Sequence, residues 1–172
     1  MKKFLIVLMM LVLSVVLLTG CSGTVLPPSE PPLDLIREYT GTDVVVRWPD
    51  GIVSVCDFIE ESKEIWDEVN EIIDGPVHFQ LTNDTTAQIG MEYYPYDIWD
   101  KVFYVGFPHM SNDAFEGCGI LINSATASED IYVGAILVAL GINIEKWEEG
   151  FTQEMKTVLY WLYRLAPGTS LE

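Results

Sequence analysis

The sequence predicts an α+β domain, a twisted mixed sheet packed with about three helices. Two patterns and one bulk property lead there. Short β-branched or alternating runs recur at 44–48, 52–56, 77–81, 87–94, 101–107 and 119–123, which is strand patterning. Helical spacing replaces it at 58–73 and 152–164, while the run 131–142 is apolar all round, a buried helix or a buried strand, with its length and an expected cap favouring helix. The chain has 172 residues, 49% hydrophobic and 12% aromatic, enough to bury a core and too apolar for a disordered segment.

Lys2 and Lys3 precede the apolar run FLIVLMMLVLSVVLL, which stops at Thr19-Gly20-Cys21. A charged start, an apolar middle and small residues at a cleavage point make a secretory signal. Leu18-Thr19-Gly20-Cys21 resembles the lipobox of bacterial lipoproteins. That resemblance implies cleavage before Cys21, lipidation of its thiol, and a place on the extracytoplasmic face of a bacterial cell membrane. Residues 22–33, SGTVLPPSEPPL, hold four prolines and read as a stiff spacer. The expected organisation is a signal peptide at 1–20, the lipidated cysteine and linker at 21–33, and one α+β domain at 34–172. The longest later apolar run, Ile131 to Ile142, is twelve residues, short of the ~18 that span a bilayer.

Net charge is −17, and loss of the two leading lysines takes it to −19. Such a surface repels nucleic acid and anionic headgroups. Cationic partners or divalent ions suit it, as does a plain solvated surface. Cys56 and Cys118 have no metal-site spacing, and whether they pair stays open.

Within the domain, VVVRW at 44–48 and IVSVC at 52–56 flank Pro49-Asp50-Gly51 and predict a hairpin. Asp57 is the expected N-cap of a helix over 58–73, whose apolar residues alternate with Glu60, Glu61, Glu64, Asp67, Glu68 and Glu71, and Gly75-Pro76 its stop. VHFQL places Val77, Phe79 and Leu81 on one face, with His78 and Gln80 on the other. Thr126 with Glu129 forms an expected capping box before the apolar helix. The last helix runs from Thr152 to Arg164 and terminates at Ala166-Pro167-Gly168.

Strands, GILIN at 119–123, a capped apolar helix ending Ala139-Leu140-Gly141-Ile142 and a last helix closing LYRLAPG at 162–168 resemble the order of elements in matrixin-like zinc peptidases of the metzincin type. The resemblance covers 100–170. It implies a zincin fold and a helix reading HExxHxxGxxH. Gly141 falls on the motif's glycine. Gly134, Ala135, Val138 and Ile144 stand where the first histidine, the glutamate, the second histidine and the third ligand would be. The resemblance therefore implies a zincin scaffold with hydrocarbon in place of its metal site: no catalytic residue, no metal ligand and no cofactor are assigned.

Two other chemistries were open. His78 or His109 could meet carboxylates, and Ser111-Asn112-Asp113 through Glu116 or Asn83-Asp84-Thr85 could offer oxygen ligands, although both stretches read as turns. The aromatic stretch EYYPYDIWD supplies Tyr93, Tyr94, Tyr96 and Trp99 as a possible binding face, or as anchors for a loop. The expected function is a membrane-tethered extracytoplasmic lipoprotein whose non-catalytic domain binds a peptide, protein or cell-wall component, with partner-strand addition at a sheet edge one route. The alternative is an envelope hydrolase using a histidine and carboxylate site, which requires His78 or His109 to share a cleft with at least two carboxylates.

Overall fold

The computed structural model describes residues 28–94 and 101–172. In chain order these form α1 (Leu33–Thr40), β1 (Gly51–Asp57), a 3-10 turn (Glu60–Ser62) leading into α2 (Lys63–Ile73), and β2 (Val77–Thr82). There follow β3 (Ile89–Tyr94), β4 (Phe103–Ser111), β5 (Ala114–Asn123), α3 (Glu129–Ala139), a second 3-10 segment (Ile144–Glu149) and α4 (Gln153–Leu162). The strands make one twisted mixed sheet in the order β2-β1-β3-β5-β4. β1 runs parallel to β2 and β3, β3 parallel to β5, and β4 antiparallel to β5. The predicted mixed fold is thus the observed one, with a fourth helix, α1, that the sequence reading passed over. Ile36, Tyr39 and Thr40 bury one face of α1, and Gly41 closes it at φ 70°, donating its N–H to Arg37 O.

The β1-α2-β2 unit sets the centre. In α2 the buried residues Ile65, Trp66, Val69 and Ile73 recur at helical spacing. Asn70 pins the helix to β2, donating to Phe79 O and accepting from Phe79 N–H, each at 2.8 Å. The helix begins later than expected, and Asp57 is not its N-cap. Instead the Asp57 carboxylate accepts from Ile59 N–H (2.8 Å), Ser62 Oγ (2.7 Å) and Trp66 Nε1 (2.9 Å), tying the end of β1 to the start of α2. Its pKa is raised, burial outweighing the three hydrogen bonds that favour the charge.

The predicted 44–56 hairpin does not form. Residues 43–47 take their backbone partners from the chain's end and from the β4-β5 turn: Val45 N–H donates to Thr169 O, Leu171 N–H to Asp43 O, and Phe115 N–H to Arg47 O. β1 is left to pair in parallel on both sides, which a hairpin partner would preclude. The β-branched run had strand character without a strand partner next to it in sequence.

The expected capping box at Thr126 is also corrected. The N-cap of α3 is Ser128, without a side-chain cap, and Thr126 Oγ1 donates back to Asn123 O. α3 itself is apolar all round, as read, and accordingly buried: Ile131, Tyr132 and Gly134 to Ala139 are all in the interior. It is bolted to its surroundings by Trp48 Nε1 donating to Ala139 O and Tyr163 Oη donating to Leu140 O. Thr152 caps α4, its Oγ1 accepting from Met155 N–H at 3.1 Å.

One face of the sheet carries the core. Register sets Val55 beside Ile89, Ile89 beside Cys118 and Met91 beside Ile120, and these pack with Phe79, Trp66 and the apolar residues of α3 and α4. The opposite face carries Ile52, Ser54 and Cys56 on β1, His78 and Gln80 on β2, Gly90 and Glu92 on β3, Gly119 and Leu121 on β5, and Tyr104 and Gly106 on β4. Cys56 and Cys118 are both buried and free. β3 lies between their strands, which puts them about 9–10 Å apart on opposite faces, beyond the reach of a disulfide. Burial pushes the Cys118 thiol up to about 12.

Candidate functional site

The positions matching the zinc motif sit on α3 and just beyond it. Gly134, Ala135 and Val138 are interior residues, Val138 retaining 9% of its surface. Ile144, at the third-ligand position, is 57% exposed at the start of the second 3-10 segment. Gly141, the motif position where this chain agrees, has φ 99°, and a Cβ there would lie 2.9 Å from Val46 O. The chain turns off the helix there in a conformation only glycine takes without strain. Gly141→Ala is expected to cost about 2 kcal/mol, seen as a lower urea midpoint with unchanged slope, because it meets both that strain and the backbone contact.

A separate concavity lies elsewhere on α3. A cleft of about 550 Å³ opens between the 3-10 turn with α2 and the first turn of α3. Glu61, Glu64 and Glu68 line it from one helical face, with Ile65 at its floor; Ser128, Glu129 and Tyr132 face them. At about 100° per residue, Gly134 and Val138 lie on the far side of α3 from Tyr132, so the cleft and the motif positions are separate places. The cleft sits by the carboxyl end of β1, where open parallel sheets hold their ligands.

Its chemistry is acidic and hydroxylic. Glu68 pairs with Lys156 at 2.7 Å; among the described residues no cation pairs Glu61, Glu64 or Glu129. Tyr132 Oη and Tyr93 Oη share a hydrogen bond of 2.7 Å. The Tyr93 phenol is held above its ordinary pKa by desolvation first, then by the Tyr132 hydrogen bond and the nearby Glu61 and Asp57 charges, so it stays protonated. Glu129 also favours the amino end of α3, whose unpaired N–H groups carry partial positive charge. The arrangement can receive an organic amine or guanidinium against separate carboxylates and hydroxyls.

The other predicted residues do not gather into a site. His78 is exposed on β2 and the backbone of His109 lies in β4, the two opposite edges of the sheet, four spacings or about 19 Å apart. The His109 side chain lies outside what the structure describes. Among the described residues, no group of three or more His, Cys, Asp or Glu side chains could hold a metal ion. The two loops weighed for calcium are turns. Asn112 (φ 48°) and Asp113 (φ 59°) make the tight β4-β5 reversal, and Asp84 Oδ1 accepts from both Thr86 N–H and Thr86 Oγ1.

Of the aromatic face, Tyr93 is 42% exposed, whereas Tyr94 is buried with its hydroxyl donating to Lys101 O. Tyr94 therefore anchors the chain, and Tyr96 and Trp99 lie outside the described residues. The cleft glutamates were legible only as the polar stripe of a helix. Their partner wall, Ser128 to Tyr132, lies some sixty residues on, and the pattern at 58–73 does not point to it.

Compared with family models, curated proteins and solved structures, the chain matches none.

Proposed function

We propose that this is the ligand-binding domain of an extracytoplasmic lipoprotein, tethered through Cys21, which binds a peptide, protein or wall component without cleaving it. Its cleft between α2 and α3 takes up a cationic group of that ligand. The observation that carries the reading is the cleft itself: carboxylates from two sides line one concavity, and three of them have no described cation. The chain's acidity favours the same partner, steering positive charge toward it. Support for the non-catalytic side comes from the residues at the motif positions, glycine, alanine, valine and isoleucine, none of which can grip zinc or move a proton. The order of elements from β4 to α4 and the turn at Gly141 are in keeping with a zincin-like scaffold. No described helix is long and apolar enough to cross a membrane, so attachment is assigned to the lipid.

The test uses full-length protein in nanodiscs and a lysine tetrapeptide. Binding by calorimetry should weaken about tenfold in a Glu61→Gln, Glu64→Gln, Glu129→Gln triple variant and fade steeply with added salt. Equal affinity in the triple variant sinks the cleft reading. One bound zinc per chain, or peptide hydrolysis abolished by His78→Ala or His109→Ala, sinks the non-catalytic one. Cys21→Ala should move the chain from the membrane fraction to the soluble one.

A further inference from the structure

A second surface, the sheet face opposite the core, has features the fold does not require. Gly90 and Gly119 stand side by side in the interior of β3 and β5, and Gly106 of β4 continues the row beyond Gly119. Glycine inside a strand weakens it and is kept where a turn or a close approach demands it. Neither reason applies to Gly90 and Gly119: neither has a positive φ, and a Cβ at either would meet nothing within 4 Å. Gly90 and Gly119 leave a furrow, whereas the Tyr104 ring already stands over Gly106, 2.9 Å from where a Cβ would be. Two hollows of about 400 and 390 Å³ meet at Gly119 and Leu121, and the row of Glu92, Leu121 and Tyr104 walls them. Phe58, 62% exposed, stands at the β1 end, and Cys56 closes the floor beneath it.

The furrow's chemistry selects its occupant. Its walls are apolar and aromatic, with one carboxylate, Glu92, at the β3 end of the row. No lysine or arginine stands at any strand position on this face, and the whole chain carries −17. A second copy would set Glu92 against its own kind in a chain already self-repelling, which disfavours self-association. The three glycine-bearing strands span about 10 Å, the length of three extended residues. We infer that this furrow docks an extended polypeptide segment that alternates apolar and basic residues, an apolar side chain resting on the bare backbone of Gly90 and Gly119 and a neighbouring lysine or arginine pairing with Glu92.

This surface is distinct from the α2-α3 cleft, so the two readings fail separately. The probe is the synthetic peptide acetyl-Lys-Leu-Lys-Leu-Lys-Leu-Lys-amide, titrated into full-length protein in nanodiscs, with amide shifts of a detergent-solubilised sample mapping the contact. The expected result is micromolar to submillimolar binding that shifts Gly90, Gly119 and Leu121. It falls at least tenfold in Gly119→Leu and in Glu92→Lys, and persists in the Glu61→Gln, Glu64→Gln, Glu129→Gln variant. Gly119→Leu and Gly90→Leu fill open space, so both should melt at or above the wild-type temperature, which separates a blocked furrow from a broken fold. An all-alanine replacement of the leucines should abolish binding, and a glutamate-for-lysine peptide should not bind. The proposal is overturned by no binding up to millimolar peptide, by full affinity in Gly119→Leu, by shifts confined to other surfaces, or by loss of binding in the cleft variant alone.

Discussion

Arg47→Ala is expected to remove about 3–5 kcal/mol of folding free energy, the largest loss from any single substitution considered for this domain. The Arg47 side chain is only 2% exposed, and its guanidinium is spent on the fold. Nε donates to Leu165 O at 2.8 Å, a terminal nitrogen to Trp48 O at 2.6 Å, and the other to Asp50 Oδ1 at 2.8 Å. Its carbon also lies 5.8 Å from the Tyr163 ring centroid. Alanine strands two interior carbonyls and opens a void, while Asp50, largely exposed, returns to water at little cost. Domains of this size hold only about 5–15 kcal/mol in total, so the variant should unfold at much lower urea, or not accumulate folded. Arg47→Met fills the volume without the donors and should fall between wild type and alanine; an alanine variant as stable as wild type would contradict this account.

Asp57→Ala is expected to cost about 3 kcal/mol, since it leaves the buried donors Ile59 N–H and Trp66 Nε1 without their acceptor. Here the pH dependence has a definite sign. The folded-state pKa lies above the ordinary 3.8 because burial dominates, so the unfolded chain releases this proton at lower pH than the native one. Asp57 therefore contributes its most below 3.8, and that contribution shrinks as pH rises through the window from 3.8 to the raised value, then stays level. This is opposite to the usual behaviour of a salt-bridged carboxylate. Asp57→Asn removes the titration, so the urea midpoint of the wild type minus that of the asparagine variant should decline with rising pH across that window. A difference that grows with pH would refute the assignment.

These two residues also mark the boundary of what the sequence discloses. Where a single period governs a segment, the type of element agrees between reading and fold, although the helix read from 58 begins at Lys63. The alternation of Val77, His78, Phe79 and Gln80 became β2, and the unbroken apolar run after Asp130 became α3, because burial on one or all sides is written directly into the pattern. At 44–48 the pattern misled, since Val45 and Trp48 are core residues while the backbone partners of Val45 and Arg47 arrive from 168–169 and from the β4-β5 turn. α1 is short and follows two prolines, which suggested that the linker continued to Leu33. Asp57 reads as a helix cap, yet serves three donors up to nine residues on. The α2-α3 cleft was hidden for a related reason: Glu61, Glu64 and Glu68 look like any solvated helical stripe until the first turn of α3 is placed across from them.

The bond from Val45 to Thr169 and that from Leu171 to Asp43 join residues 43–45 to residues 169–171, about 125 positions later. A polypeptide emerging amino end first cannot make this closure until residues 169–171 have followed. Until then Val45 lacks both its acceptor at Thr169 and its donor at Gly168, and residues 168–171 act as the latch that closes this stretch. A chain cut before Gly168 would leave that latch undone.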